Sequence, residues 1–171
     1  MDRVPHVVFL CTGNAARSVM AGAMLAAQAE GLKITTAGTH VIEGQPISWR
    51  TRDAMAEVGV AAVGHRSRQI SQHDLNADLI VALAREHVQW IRRQHPEAAA
   101  RTATLRRLCR DLPNEPGPLP TRIATLDLEH VELEQWEDVD DPAGGDIDTF
   151  VACARDVLHL VNELAPRLDI R

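Results

Sequence analysis

Apolar positions along the 171-residue chain fall into short continuous runs separated by stretches of helical period. The run V-P-H-V-V-F-L at residues 4–10 is β-branched and almost unbroken, which predicts a strand buried on both faces. Residues 18–30 are rich in Ala, Met and Leu and predict a helix stopped by Gly31. Residues 32–38 predict a second strand, and a loop with Gly44 and Pro46 leads to a helix over residues 48–58, ended by Gly59. The apolar run at 77–84 predicts a third strand, 85–96 a helix stopped at Pro96, and 101–105 a short fourth strand. Phe150, Val151, Ala154, Val157, Leu158, Val161 and Leu164 recur at helical spacing, so residues 148–165 predict a terminal amphipathic helix. Residues 111–124 break the pattern: they hold four of the 9 prolines and predict an irregular connector.

Strands alternating with helices imply one α/β domain over residues 1–171, a parallel sheet with helices on both faces. Residues 111–140 are expected to be an irregular, acidic extension of it. In such sheets ligands sit beyond the carboxyl ends of the strands, where strand order switches. The loop after the first strand, C-T-G-N-A-A-R-S, is therefore the expected site.

That loop has the residues of an anion cradle. Five residues between Cys11 and Arg17 are enough to wrap the backbone round a tetrahedral oxyanion, and Gly13 and Asn14 tolerate the left-handed angles such a bend needs. Thr12, Gly13, Asn14, Ala15, Ala16, Arg17 and Ser18 are thus the expected phosphate-binding residues, aided by the N-terminus of the next helix. The same field favours an anionic sulfur at Cys11, to which the Ser18 hydroxyl can donate. Arg17 offers a planar fork to two phosphate oxygens. A lone cysteine after a strand is commonly just a small buried hydrophobe; the Gly-Asn-containing CX5RS between strand and helix argues otherwise. There is no GxGxxG, and Lys33, the sole lysine, is not in a Walker loop, which argues against nucleotide hydrolysis.

Composition narrows the picture further. Hydrophobic residues at 45% and charged residues at 25% are those of a soluble globular protein, with no run of the length needed to cross a membrane and no signal-peptide core. Three cysteines without CxxC spacing predict a reducing, cytoplasmic setting. No metal or other cofactor is expected, and a net charge of -6 argues against nucleic-acid binding.

The motifs V-F-L-C-T-G-N-A-A-R-S-V-M-A, T-T-A-G-T, G-H-R-S-R-Q-I, A-D-L-I-V-A-L and D-D-P-A-G-G, in this order, resemble the low-molecular-weight protein tyrosine phosphatases and their arsenate reductase relatives. The resemblance implies a four-stranded parallel sheet and metal-free hydrolysis through a cysteinyl-phosphate intermediate. By position it makes Cys11 the nucleophile, Arg17 the phosphate-binding arginine, Ser18 the thiolate partner, Asn14 the loop-shaping asparagine and His65 its support. A general acid is also required on chemical grounds, because an ester oxygen is a poor leaving group. The residues alone leave Asp138, Asp140 and Asp141 tied; Pro142 and the family pattern point to Asp141.

Several positions depart from the family. Ala143 and Gly144 stand where phosphotyrosine enzymes carry aromatic residues, with Ala143 an expected pocket wall; Trp49 falls where the family often has another pocket-wall residue, the alternative being a tryptophan that pins the second helix to the core. Ala15 replaces the family's isoleucine or threonine, and Ala16 replaces a second cysteine that shields the nucleophile. The expected activity is hydrolysis of phosphomonoesters, foremost protein phosphotyrosine. The alternatives are a phosphoarginine phosphatase, an arsenate reductase using an external thiol, and a non-catalytic phosphate-binding module. Between Arg122 and Arg155 there are ten carboxylates and no Lys or Arg, a solvated acidic face or a rim that would favour substrates with basic flanks.

Overall fold

The computed structural model describes residues 3–62 and 64–168. Four parallel strands, β1 (His6–Cys11), β2 (Lys33–Gly38), β3 (Leu79–Ala82) and β4 (Thr102–Thr104), form one sheet in the order β2-β1-β3-β4. The chain leaves β1 toward β2 and returns past β1 to β3, so the order reverses at the C-terminal end of β1. That is the crevice where open α/β sheets take ligands, and Cys11 is the last residue of β1.

The helices are α1 (Arg17–Ala26), α2 (Trp49–Glu57), α3 (Gln72–Leu75), α4 (Arg85–Gln94), α5 (Leu105–Asp111), α6 (Leu119–Ala124) and α7 (Ile147–Leu164). Period-2 alternation along β1 divides the core. Val7, Phe9 and Cys11 pack with Met20, Met24, Met55, Leu108, Val157 and Val161 on one face, while Val8 and Leu10 pack with Ile80, Leu75, Ile91 and Ala98 on the other. Phe9 and Leu10 are fully buried, each stabilising the fold by up to about 1.5–3 kcal/mol.

Two expectations change. The helix expected to reach residue 30 ends at Ala26, because residues 26–28 are exposed and Ala-rich propensity alone does not hold a further turn. Residues 111–124 are not wholly irregular. Pro118 caps α6 and Pro120 lies in its first turn, where a missing N–H costs nothing, and Leu119 and Ile123 bury one face. The short α3 and α5 escape the apolar pattern and are held by Ser71, which accepts from Asp74 N, and Thr104, which accepts from Arg107 N.

The acid-rich segment after α6 is tied down by buried ions. Glu137, fully buried, takes Arg107 Nε at 2.8 Å and Nη2 at 2.9 Å, the Thr104 hydroxyl at 2.9 Å and Glu134 N–H at 2.6 Å. Although burial alone would raise it, the Arg107 fork and these donors hold its carboxyl below the ordinary range. Two residues on, Val139 N–H donates to Leu83 O at 2.8 Å, stitching the segment to the end of β3. Residues 140–142 are thereby presented over the end of the sheet.

Candidate active site

Residues 12–16 form an open loop between β1 and α1. Among the described residues, no protein acceptor takes the N–H groups of Thr12, Gly13, Asn14, Ala15 or Ala16. A run of free donors leading into a helix N-terminus is an anion site. Asn14 sets the bend. Its φ is 52°, in the left-handed region that Asn tolerates, and its side chain is fully buried. Asn14 Nδ2 donates to Ser18 Oγ at 2.9 Å and to Thr36 Oγ1 at 3.0 Å, while its Oδ1 accepts from Arg68 N at 3.1 Å. Its carbonyl accepts from His65 Nε2 at 2.8 Å and from the Ser67 hydroxyl at 2.9 Å.

The Asn14 amide thus occupies a lone pair of Ser18 and leaves the serine hydrogen for Cys11 Sγ, 2.9 Å away. Cys11 itself is 3% exposed. The sulfur therefore lies at the base of the loop, beside the serine hydroxyl and the row of free N–H groups.

Arg17, the first residue of α1, is buried. Its Nη1 donates to Val139 O at 3.0 Å, and its Nη2 faces Asp141 Oδ2 at 3.6 Å and Glu86 Oε1 at 3.9 Å. The three aspartates have different surroundings. Asp138 is clamped by Arg85, from its N–H at 2.8 Å and its Nη2 at 3.0 Å, and those bonds keep its carboxyl low against the opposing effect of burial. Asp140 is exposed and lines only the outer groove. Asp141, 52% exposed, takes the Ala143 N–H at 3.0 Å and borders the cradle.

Cys11, Thr12, Gly13, Ala15, Ala16, Arg17 and Asp141 share the lining of a cavity of about 310 Å³ with Ser48, Thr51, Ala143 and Phe150. Ala143 is among the lining residues. Trp49 is not in the lining; it is 49% exposed, with the Arg50 guanidinium 4.7 Å from its ring, and its neighbours Ser48 and Thr51 face the cavity instead. Phe150 on α7 supplies the aromatic surface, a role hidden by its helical spacing among core residues. A second cavity of about 420 Å³ adjoins at Arg17 and Asp141 and carries Arg85, Glu86, Gln89, Asp138 and Asp140.

Gly38 was legible only as the end of a strand. A Cβ there would lie 2.4 Å from Thr12 O and 3.0 Å from Asn14 N, so the loop rests directly on β2. Among the described residues the one group with metal-ligand spacing is Asp127, Glu129 and His130, all exposed and outside both cavities.

A doubly wound sheet whose first strand delivers a cysteine into an N–H-lined, arginine-closed loop defines the cysteine-dependent phosphatase class. The family model for low molecular weight phosphotyrosine protein phosphatase matches residues 6–120, and the chain belongs to that family. It is 28% identical over 166 residues, 96% of both chains, to a protein-arginine-phosphatase of Geobacillus stearothermophilus. It is 38% identical over 103 residues to the low molecular weight protein-tyrosine phosphatase A of Mycobacterium tuberculosis, spanning 55% of this chain and 61% of that one. Among solved structures, the YwlE arginine phosphatase of Geobacillus stearothermophilus matches with a TM-score of 0.75 and 29% identity, over 96% of this chain and 92% of that one. The low molecular weight protein tyrosine phosphatase from T. tengcongensis matches with a TM-score of 0.76 and 26% identity, over 96% and 99%.

Proposed function

We propose that the chain hydrolyses a phosphorylated protein side chain in two steps, foremost phosphotyrosine. The observation that carries the reading is the convergence of Cys11, Arg17 and Asp141 on one cavity floored by free N–H groups. Cys11 Sγ attacks phosphorus as the bond to the leaving oxygen breaks, and the Asp141 carboxyl gives that oxygen its proton. The loop N–H groups and the Arg17 fork hold the equatorial oxygens, with Ser18 supporting the sulfur and Asn14 and His65 the loop. Asp141, now a carboxylate, takes a proton from water, which attacks phosphorus. The P–S bond breaks, phosphate leaves and the Cys11 thiolate returns.

Phe150 and Ala143 give the cavity an apolar wall against which an aryl ring can pack. A second reading, phosphoarginine, draws on the whole-length likeness to an arginine phosphatase and on the carboxylates at the cavity exit. Arg85 already neutralises Asp138, Glu86 has only the 3.9 Å approach of the Arg17 that also serves the cradle, and Asp140 has no ion-pair partner among the described residues, which leaves negative charge in excess. That excess fits a guanidinium, or a basic residue flanking the phosphorylated one. We place the enzyme in the cytoplasm, where its three free cysteines would stay reduced.

Single-turnover assays with matched phosphotyrosine and phosphoarginine peptides, and with arsenate plus an external thiol, test these readings together. Turnover of the aryl ester above the others supports the first reading, and selective phosphoarginine turnover replaces it with the second. Turnover of arsenate alone, or binding without turnover, overturns both. Basic flanks should raise kcat/KM at low salt and lose that advantage at high salt; equal values for basic and acidic flanks would leave the acidic groove without a role in selection.

A further inference from the structure

His87 lies outside every motif of the phosphate loop, yet it touches that loop across a sequence separation of 75 residues. It occupies the third position of α4, is 1% exposed, and points from the end of β3 toward the end of β1. The two ring nitrogens have distinct partners. Ala84 N–H donates to Nδ1 at 3.2 Å, so Nδ1 carries the lone pair. The ring hydrogen is therefore on Nε2, which donates to Thr12 Oγ1 at 2.9 Å. The Thr12 hydroxyl hydrogen is then directed away from the imidazole, toward Glu86 Oε1 at 3.4 Å.

Thr12 is the residue immediately after the nucleophile. Its carbonyl already accepts from His40 N–H at 3.0 Å, and the Cys11 carbonyl accepts from Thr39 N–H at 3.0 Å, both from the β2 side. Among the described residues, its side chain is the part of Thr12 that reaches α4. We infer that His87 is a positioning residue for the phosphate cradle: its neutral imidazole holds the Thr12 hydroxyl, and so sets the direction of the loop N–H groups beside Cys11. The inference rests on the phosphate-loop reading of the site and adds to it a residue that never touches substrate. The same chain reaches Glu86, which faces Arg17, so the brace also joins the first and last residues of the cradle's inner rim.

The test uses the full chain and two readouts, kcat/KM for an aryl phosphate and the inhibition constant of vanadate, a tetrahedral oxyanion that needs no chemistry to bind. Thr12→Val keeps shape and removes the hydroxyl. It should weaken vanadate and lower kcat/KM by about tenfold each, the size expected for one lost oriented hydrogen bond. His87→Gln, whose amide reaches the Nε2 position, should stay within about threefold, whereas His87→Phe should match Thr12→Val. Combining Thr12→Val with His87→Phe should cost little more than either alone, because both remove one contact. A residue that merely fills space would lower the melting temperature in His87→Phe and leave vanadate affinity at the wild-type value. Wild-type vanadate affinity and kcat/KM in Thr12→Val overturn the brace, a result that stands even if the His87→Phe chain does not fold. A wild-type protein that neither binds vanadate nor turns over removes the phosphate-loop reading itself, and the brace with it.

Discussion

Gly38→Ala probes the claim that the loop geometry is imposed by the sheet beneath it. The added methyl would sit 2.4 Å from the Thr12 carbonyl, 3.0 Å from Asn14 N and 2.4 Å from Val41 Cγ2. Val41 can turn aside, but the carbonyl is backbone and moves only with the loop. Ordinary carbon contacts are about 3.5 Å, so residues 12–14 must retreat by about 1 Å. Overpacking of this kind costs about 1–3 kcal/mol of stability, and an error of about 1 Å in a reacting geometry costs about 10²-fold in rate. The assay is kcat/KM for an aryl phosphate together with vanadate inhibition and a thermal melt. Both kinetic readouts should fall by about 10²-fold while the fold persists, because the methyl meets the loop and not the core. Kinetics within about threefold of wild type would refute the reasoning, since the loop would then have its shape without the close approach to β2.

The remaining predictions address charge and protonation. Arg17→Lys should lose about 10²–10³-fold in kcat/KM with weaker phosphate inhibition, because an ammonium cannot replace the fork that reaches Val139 O and the cradle at once; phosphate inhibition at the wild-type level would contradict that. Asp141→Asn should slow esters with poor leaving groups by about 10²–10⁴-fold and activated aryl phosphates far less, and the same pattern in Asp140→Asn instead would reassign the acid. Burial, reinforced by the Arg17 charge, pulls the His87 imidazole down to about 3 from 6.5. The unfolded chain takes up that proton below about pH 6.5 and the native protein does not, so stability contributed by His87 is complete above pH 6.5 and is lost as pH falls toward 3. Between pH 7 and pH 5 the loss is about 2 kcal/mol, or about 4–8 °C in Tm. His6, also held low chiefly by burial, acts in the same range, so the measurement is the difference in pH slope between wild type and His87→Gln, and equal slopes would contradict the assignment.

What could be read from the chain is what rests on local pattern. β1, β3 and the loop between β1 and α1 declare themselves because an apolar strand, a Gly-Asn bend and a helix start are each encoded within a few neighbours. The choice among three aspartates needed more: apart from Pro142 they carry no local difference, and the Arg85 clamp that sets Asp138 apart is a tertiary contact. Phe150 has the spacing of a core residue, and only the approach of α7 to the loop makes it a wall. Glu137 looks like one more surface carboxylate in an acidic run, and its burial depends on Arg107, 30 residues earlier. His87 was indistinguishable from the other histidines because, of its two ring partners, Ala84 is local to the start of α4 but Thr12 lies 75 residues away, in the loop after β1. The prolines of 111–124 misled in the opposite direction, since their fixed φ marks the start of α6 as readily as its absence.

The central claim is that phosphate passes through the sulfur of Cys11. It is tested most directly by mixing the Asp141→Asn variant with an activated aryl phosphate, quenching before the first turnover completes, and locating phosphate by mass spectrometry of the digested chain. With the leaving group already activated, attack proceeds while the missing base slows release, so one phosphoryl group per chain should accumulate on Cys11 and vanish in Cys11→Ser. Turnover at the wild-type rate in Cys11→Ser, or a phosphoryl group on any other residue of the active chain, would contradict it.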